Sequence, residues 1–327
     1  MDIMQEIRQR ARNNLKTIVL PEGEEERTLC AADIIVDQKI ANLILLGDPE
    51  TMERKASNWG LNISQVKLMN PNKSKFINSF TQEFYRLRSH KGITMEQAEE
   101  TIKKPLHFGA MLVRWGIGDG SVAGAVNTTG DVMRAAIQII GLKEGISIVS
   151  SSFMMVMPTG KVYMYSDGAV VPEPDAEQLA SIAVSAAETH RVLTGEEPLV
   201  AMLSFSTKGS AEHHTIDKVC QALEMAKKMR PDLKIDGELQ VDAAIVPSIA
   251  ERKAPDSPIK GKANVFIFPD LNAGNIAYKI TQRLADARAI GPIVQGLAKP
   301  AFDLSRGCTY EDIVDVVAVN SVMAGAN

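Results

Sequence analysis

The chain has 327 residues, 45% of them hydrophobic and 23% charged, with 36 Lys and Arg against 40 Asp and Glu for a formal net charge of −4. At roughly 150 residues per domain, this length predicts two domains, each large enough to bury a core without disulfide or metal staples. The acidic balance and an aromatic content of only 5% exclude the basic field and stacking aromatics of a general nucleic-acid or membrane-surface binder.

Residues 1–16 mix Glu6, Arg8, Arg10 and Arg12 with polar residues and hold no apolar targeting stretch. No window approaches the ~18 unbroken apolar residues of a spanning helix, which predicts a cytoplasmic protein with no membrane partner. Residues 17–20 read as a strand stopped by Pro21-Glu22-Gly23, followed by a helix over 24–37 and a strand over 43–46 ending at Gly47-Asp48-Pro49. Helical patterns then cover 78–90 and 94–115, the second broken near Pro105. A strand over 120–126 meets the polar turn Asn127-Thr128-Thr129-Gly130-Asp131, and a helix resumes over 132–142.

A second series begins near Gly145. Strands are predicted over 146–149 and 162–165, with Ser166-Asp167-Gly168 as a turn pairing 162–165 with 169–171. A long helix over 175–193 leads to buried strands over 199–205 and 265–268. The alternation predicts α/β layers with largely parallel sheets and a domain boundary near residues 141–145.

Ligands of open α/β sheets bind where strand ends precede helix N-termini. Three such junctions are rich in hydroxyl and small polar residues. Ser206-Thr207-Lys208-Gly209-Ser210 offers N–H groups, hydroxyls and a cation ahead of a helix expected to start near Ala211, which suits a phosphate. The same residues also suit plain helix capping, and the loop is not a Walker A loop. The turn at 127–131, with Arg134 one helical turn on, is the second junction, and residues 268–275 form the third. The Arg86-Leu87-Arg88-Ser89-His90-Lys91 cluster adds cations, although such a run also fits a solvated helix face. Thr309 and Asp312 have the S/T-x-x-D/E spacing of a capping box, just after Ser305 and Arg306.

Cys30, Cys220 and Cys308 are far apart and form no CxxC pair, so neither a disulfide framework nor a zinc site is expected. Asp236, Glu238, Asp242 and Asp270 have no His nearby and read as solvated or capping groups rather than metal ligands. On a helix His213 and His214 would point to different faces, so joint metal ligation is not expected. No GxGxxG follows a strand, so a standard dinucleotide site has no support.

Leu20-Pro21-Glu22-Gly23, Leu87-Arg88-Ser89-His90-Lys91-Gly92, Ser204-Phe205-Ser206-Thr207-Lys208-Gly209-Ser210, Asp236-Gly237-Glu238-Leu239-Gln240 with Asp242-Ala243-Ala244, Phe268-Pro269-Asp270-Leu271-Asn272 and Leu304-Ser305-Arg306-Gly307 occur in order across the chain. Together they closely resemble the phosphate acetyltransferase family. The resemblance implies two three-layer α/β domains with a cleft between them, of the isocitrate and isopropylmalate dehydrogenase type, usually in a homodimer. It places the first domain at 1–143 plus 292–327 and the second at 144–291. The implied reaction converts acetyl-CoA and phosphate into CoA and acetyl phosphate by direct attack, with no metal, cofactor or covalent enzyme intermediate.

By the same resemblance, Asp312 is the base for the CoA thiol, and Ser305 and Arg306 hold the acyl phosphate and stabilise charge at its carbonyl. Arg88 and Arg134 match CoA-binding arginines. Thr128 and Thr129, lying where related enzymes have a Ser-rich turn, join Ser206, Thr207 and Lys208 as expected phosphate or acetyl phosphate ligands. No role passes to Cys308. Two alternatives remain: a phosphate butyryltransferase-like enzyme, and a non-catalytic acyl-CoA sensing module. The presence of Ser305, Arg306 and Asp312 favours catalysis.

Overall fold

The computed structural model describes residues 2–326. In chain order its strands are β1 (Thr17–Leu20), β2 (Asn42–Leu46), β3 (Lys67–Met69), β4 (Gly120–Ala123), β5 (Ser150–Val156), β6 (Val162–Ser166), β7 (Leu199–Leu203), β8 (Lys234–Leu239), β9 (Val265–Ile267), β10 (Arg288–Gln295) and β11 (Ala301–Asp303). They divide between two α/β units, one formed by the residues up to Lys143 and from Leu297 onward, the other by Glu144–Gly296. Among the described residues no helix is long and apolar enough to cross a membrane.

The first unit holds a five-stranded sheet in the order β11-β4-β1-β2-β3, with every neighbouring pair parallel. Its central strands are short and apolar because both faces are covered by helices. The Tyr310–Gly325 helix packs on β1, β4 and β11 and against the helices Ile3–Asn13 and Glu26–Asp37. Pro105–Arg114 packs on β1 and β4 and against Thr129–Ile139. Val19 pairs with Ser121, and Asp303 with Ala123, so the loops leaving β1, β4 and β11 emerge side by side at the carboxyl edge of the sheet.

Several boundaries differ from the sequence expectation for local physical reasons. β4 ends at Ala123 rather than at 126, because the next four backbone N–H groups turn to the Glu22 carboxylate instead of a neighbouring strand. The helix expected from 132 begins at Thr129, with the Thr128 side chain accepting from the Asp131 N–H. The helix expected over 78–90 is Ile77–Arg88 followed by a 3-10 turn, and the 94–115 pattern splits at Pro105 into Met95–Ile102 and Pro105–Arg114.

The second unit holds a six-stranded mixed sheet in the order β10-β5-β6-β9-β7-β8. β10, β5 and β6 pair antiparallel, while β6, β9, β7 and β8 run parallel. Because β10 pairs with β5, the chain leaves this unit only after Gly296. The Ala176–Thr194 helix lies across β5, β6, β7, β9 and β10. A reciprocal capping box of Asp175 and Gln178 starts it, and Gly195 at φ 72° stops it.

The strand expected over 146–149 does not form, since the Ser147 N–H donates to the Ser181 hydroxyl and not to a ladder. β5 starts at Ser150 instead. Its three buried serines are neutralised internally: Ser151 donates to Asp167, Ser152 donates to Gln295 at 2.9 Å, and Gln295 Nε2 donates to Ser150 at 3.0 Å. The expected pairing of 162–165 with 169–171 is absent as well. The N–H groups of Ala169, Val170 and Val171 all go to the Asp167 carboxylate, which curls the chain, and β6 pairs with β5 and β9.

Candidate active site

In the first unit, Arg88 and Arg134 line one pocket of about 710 Å³ together with Phe84, Lys104, Leu106, His107, Asn127 and Gln138. The Arg86–Lys91 cluster therefore separates by function. Arg86 is exposed and pairs with Glu83 at 2.8 Å, whereas Arg88 turns to the pocket. Arg134 pairs with Asp131 at 2.6 Å. Among the described residues, neither Arg88 nor Lys104 forms an ion pair. Burial, reinforced by Lys104 and Arg134, pushes His107 down to about 4 and keeps the imidazole neutral. Cations, a neutral ring and apolar walls in one concavity can bind a ligand carrying both phosphate and apolar groups.

The Ser305–Gly307 segment is exposed between two buried anchors, Leu304 and Cys308. The Leu304 N–H donates to Ala123 O at 2.8 Å, and the Cys308 N–H to Ser305 O at 2.9 Å. The Tyr310–Gly325 helix then opens with a reciprocal capping box. Thr309 N–H donates to Asp312 Oδ2 at 2.9 Å, and Asp312 N–H donates to the Thr309 hydroxyl at 3.2 Å. Asp312 is exposed, so capping employs one oxygen and leaves the carboxylate open to a ligand.

Sequence reasoning missed Arg27. Its Nη1 donates to the carbonyls of Arg306 at 2.9 Å and Cys308 at 2.8 Å, its Nη2 to Ala125 O at 2.9 Å, and its Nε to Glu25 at 2.6 Å. One guanidinium thus fastens the loop after β11 to the loop after β4. The only signal was a cation closing the acidic run Glu22-Gly23-Glu24-Glu25-Glu26. Cys308 lies beside this guanidinium, which favours the thiolate, but burial outweighs it and raises the thiol pKa.

Thr128 caps its helix and donates to Asp131 at 2.8 Å, while Thr129 donates to Asp303 Oδ2 at 2.6 Å. Asp303, at the end of β11, is buried, and its Oδ1 has no hydrogen-bond partner among the described residues. Burial, and to a lesser extent Glu22, pushes its carboxyl up to about 6. An unfolded Asp titrates at about 3.9, so the folded chain holds this proton more tightly and loses stability as pH rises from about 4 to about 6. Asp303→Asn keeps an acceptor for Thr129 and removes this titration. The melting temperature of the variant minus that of the wild type should increase as pH rises from about 4 to about 7, and a difference independent of pH would refute the assignment.

Ser206, Thr207 and Lys208 lie in the second unit, and each has an internal partner. Ser206 donates to Glu238 Oε1 at 2.8 Å, Thr207 to Gln240 at 3.2 Å, and Lys208 to Asp236 Oδ1 at 2.5 Å. The helix expected at Ala211 starts at His214, because the Ala211 N–H is taken by Ser206 Oγ. Asp236 and Glu238 are buried, correcting the expectation of solvated or capping groups. Asp270 does cap the Leu271–Leu284 helix, and Asp242 pairs with Lys253 at 2.9 Å.

The comparisons with known proteins agree across the chain. The model of the phosphate acetyl/butaryl transferase family matches residues 2–321. A phosphate acetyltransferase of Thermoanaerobacterium thermosaccharolyticum is 53% identical over 99% of this chain and 100% of its own length. One from Clostridium acetobutylicum is 50% identical over 99% of each. A solved phosphotransacetylase of Streptococcus pyogenes superposes with a TM-score of 0.96 at 41% identity, covering 99% of this chain and 98% of that one. A full-length sequence match, a shared fold, and a loop that presents Ser305, Arg306 and Asp312 around one helix start lead to a single conclusion: the chain belongs to the phosphate acetyl/butaryl transferase family.

Proposed function

We infer that this chain is a phosphate acetyltransferase, interconverting acetyl-CoA and phosphate with CoA and acetyl phosphate in a ternary complex. The observation that carries the reading is the exposed Ser305-Arg306 segment leading into the helix that Asp312 caps, in a chain 53% identical to a phosphate acetyltransferase over its full length. In the direction of CoA acetylation, the CoA thiol attacks the carbonyl carbon of acetyl phosphate. Its proton passes to the Asp312 carboxylate, the C–S bond forms, the electrons move onto the carbonyl oxygen, and the C–O bond to phosphate breaks as they return. Arg306 and Ser305 stabilise the oxyanion and hold the phosphate oxygens. A thiol with a pKa of about 8.5 is only a few per cent ionised at about pH 7, so a positioned carboxylate contributes about 10²- to 10⁴-fold.

Arg88 and Arg134 bind CoA in this reading, with Lys104 beside them in the same pocket. Thr128, Thr129, Ser206, Thr207 and Lys208 are its phosphate and acetyl phosphate ligands. To take that part, each exchanges a bond to a protein partner for one to the substrate. The raised pKa of Cys308 supports direct transfer over an acyl-enzyme. The proposal extends to domains of the isocitrate and isopropylmalate dehydrogenase type, assembly as a homodimer, and a cytoplasmic location, with CoA and acetyl-CoA as substrates and no separate cofactor.

Phosphate-dependent release of CoA thiol from acetyl-CoA, followed with a thiol reagent, tests the function. Release is expected, and faster with acetyl-CoA than with butyryl-CoA. A butyryl-CoA preference would select a butyryltransferase, and no release by pure folded protein would select an acyl-CoA sensing module.

A further inference from the structure

The loop after β4 is a ready anion site, and the chain fills it itself. The backbone N–H groups of Gly124, Ala125, Val126 and Asn127 converge on Glu22. Oε2 accepts the first two at 2.9 and 2.8 Å, Oε1 the next two at 3.1 and 2.8 Å, and Asn127 Nδ2 donates to Oε1 at 2.7 Å. Consecutive N–H groups at the end of a parallel strand and ahead of a helix make a concavity that ordinarily receives a ligand phosphate or carboxylate. The backbone is committed to this shape: Gly124 sits at φ +115°, and a Cβ there would lie 2.5 Å from Asp303 Oδ1.

The same four residues connect the two parts of the site. Asn127 lines the pocket of Arg88 and Arg134, and the Ala125 carbonyl receives Arg27, which also holds the carbonyls of Arg306 and Cys308. We propose that Glu22 is a positioning residue, an internal anion whose carboxylate sets the 124–127 loop and through it the registration of the CoA pocket with the Ser305–Asp312 segment. The proposal rests on the acetyltransferase reading for its kinetic consequence, but not for the occupancy of the nest.

Glu22→Ala in the full chain vacates the nest while leaving its N–H groups in place. The variant is expected to lose about tenfold or more in kcat/KM, as misplacement of reacting groups does. Added sodium formate, a carboxylate small enough to enter, should restore several-fold of that loss and raise the melting temperature of the variant. Sodium chloride at equal ionic strength should do neither, and the wild type, whose nest is full, should not respond to formate. Should Glu22→Ala not fold alone, refolding in formate against chloride reads the same occupancy. Glu22→Gln fills the nest but turns an amide NH₂ toward N–H donors, so it should lose activity without formate rescue. Formate leaving both melting and turnover of Glu22→Ala unmoved, or Glu22→Gln with wild-type kinetics, would overturn the proposal. The formate-dependent melting shift needs no turnover, so it separates failure of this inference from failure of the acetyltransferase reading.

Discussion

Replacing Asp312 with Asn is expected to lower kcat by about 10²- to 10⁴-fold while the melting temperature barely moves. The expectation follows from two roles that the geometry separates. As a helix residue, Asp312 needs only an acceptor for the Thr309 N–H, and the amide oxygen of Asn supplies one. As a base it must take a proton from a thiol, which an amide cannot do at neutral pH. The cost to the helix is confined to losing a negative charge in the first turn, worth about 0.3–1 kcal/mol. Glu at this position keeps both the charge and a good capping residue but displaces the carboxylate, so Asp312→Glu should melt like the wild type and still turn over slowly. Thermal melts alongside steady-state kinetics decide the matter. A variant that loses stability but keeps kcat would make Asp312 a cap and nothing more.

Arg306→Gln should cost about 3 kcal/mol of transition-state stabilisation, roughly 10²-fold in kcat, again with unchanged melting. The fold uses this residue only through its backbone: the Arg306 carbonyl accepts from Arg27, and among the described residues the guanidinium forms no ion pair. Truncating it leaves no buried group without a partner. Arg306→Lys restores the charge without the planar fork that grips two oxygens of an acyl phosphate, so it should recover only part of the loss. Equal effects on kcat and on melting would reassign Arg306 to loop structure.

The features readable from sequence were those set by near neighbours. The Thr309–Asp312 spacing gave the capping box, Pro105 gave the helix break, and the apolar run of β1 stands out because its flanks are polar. Interactions closed over long separations were not readable. Thr129 and Asp303 are 174 positions apart, and Arg27 and Cys308 are 281 apart, so neither pairing leaves a local pattern. β5 escaped notice for a related reason. Hydropathy treats Ser150-Ser151-Ser152 as surface, although Asp167, 16 positions from Ser151, and Gln295, 143 positions from Ser152, make their burial inexpensive. The Ser206–Ser210 loop taught the converse lesson. Its composition suits a phosphate, yet no local pattern announces the partners its side chains hold in the fold: Glu238 for Ser206, Gln240 for Thr207 and Asp236 for Lys208, with Glu238 and Asp236 buried.

The burial of the Tyr310–Gly325 helix has a consequence for motion during turnover. From Ile313 to Val322 every residue is buried, and Asp315 is held to the Ile3–Asn13 helix by Arg8 at 2.6 Å. Opening this helix requires unpacking the centre of the first unit, so its amides should rank among the slowest to exchange with solvent. The proposed base is thus attached to a nearly immobile element. Within the first unit Asp312 is then a fixed point, beside which the exposed Ser305–Gly307 segment is free to adjust to the substrates.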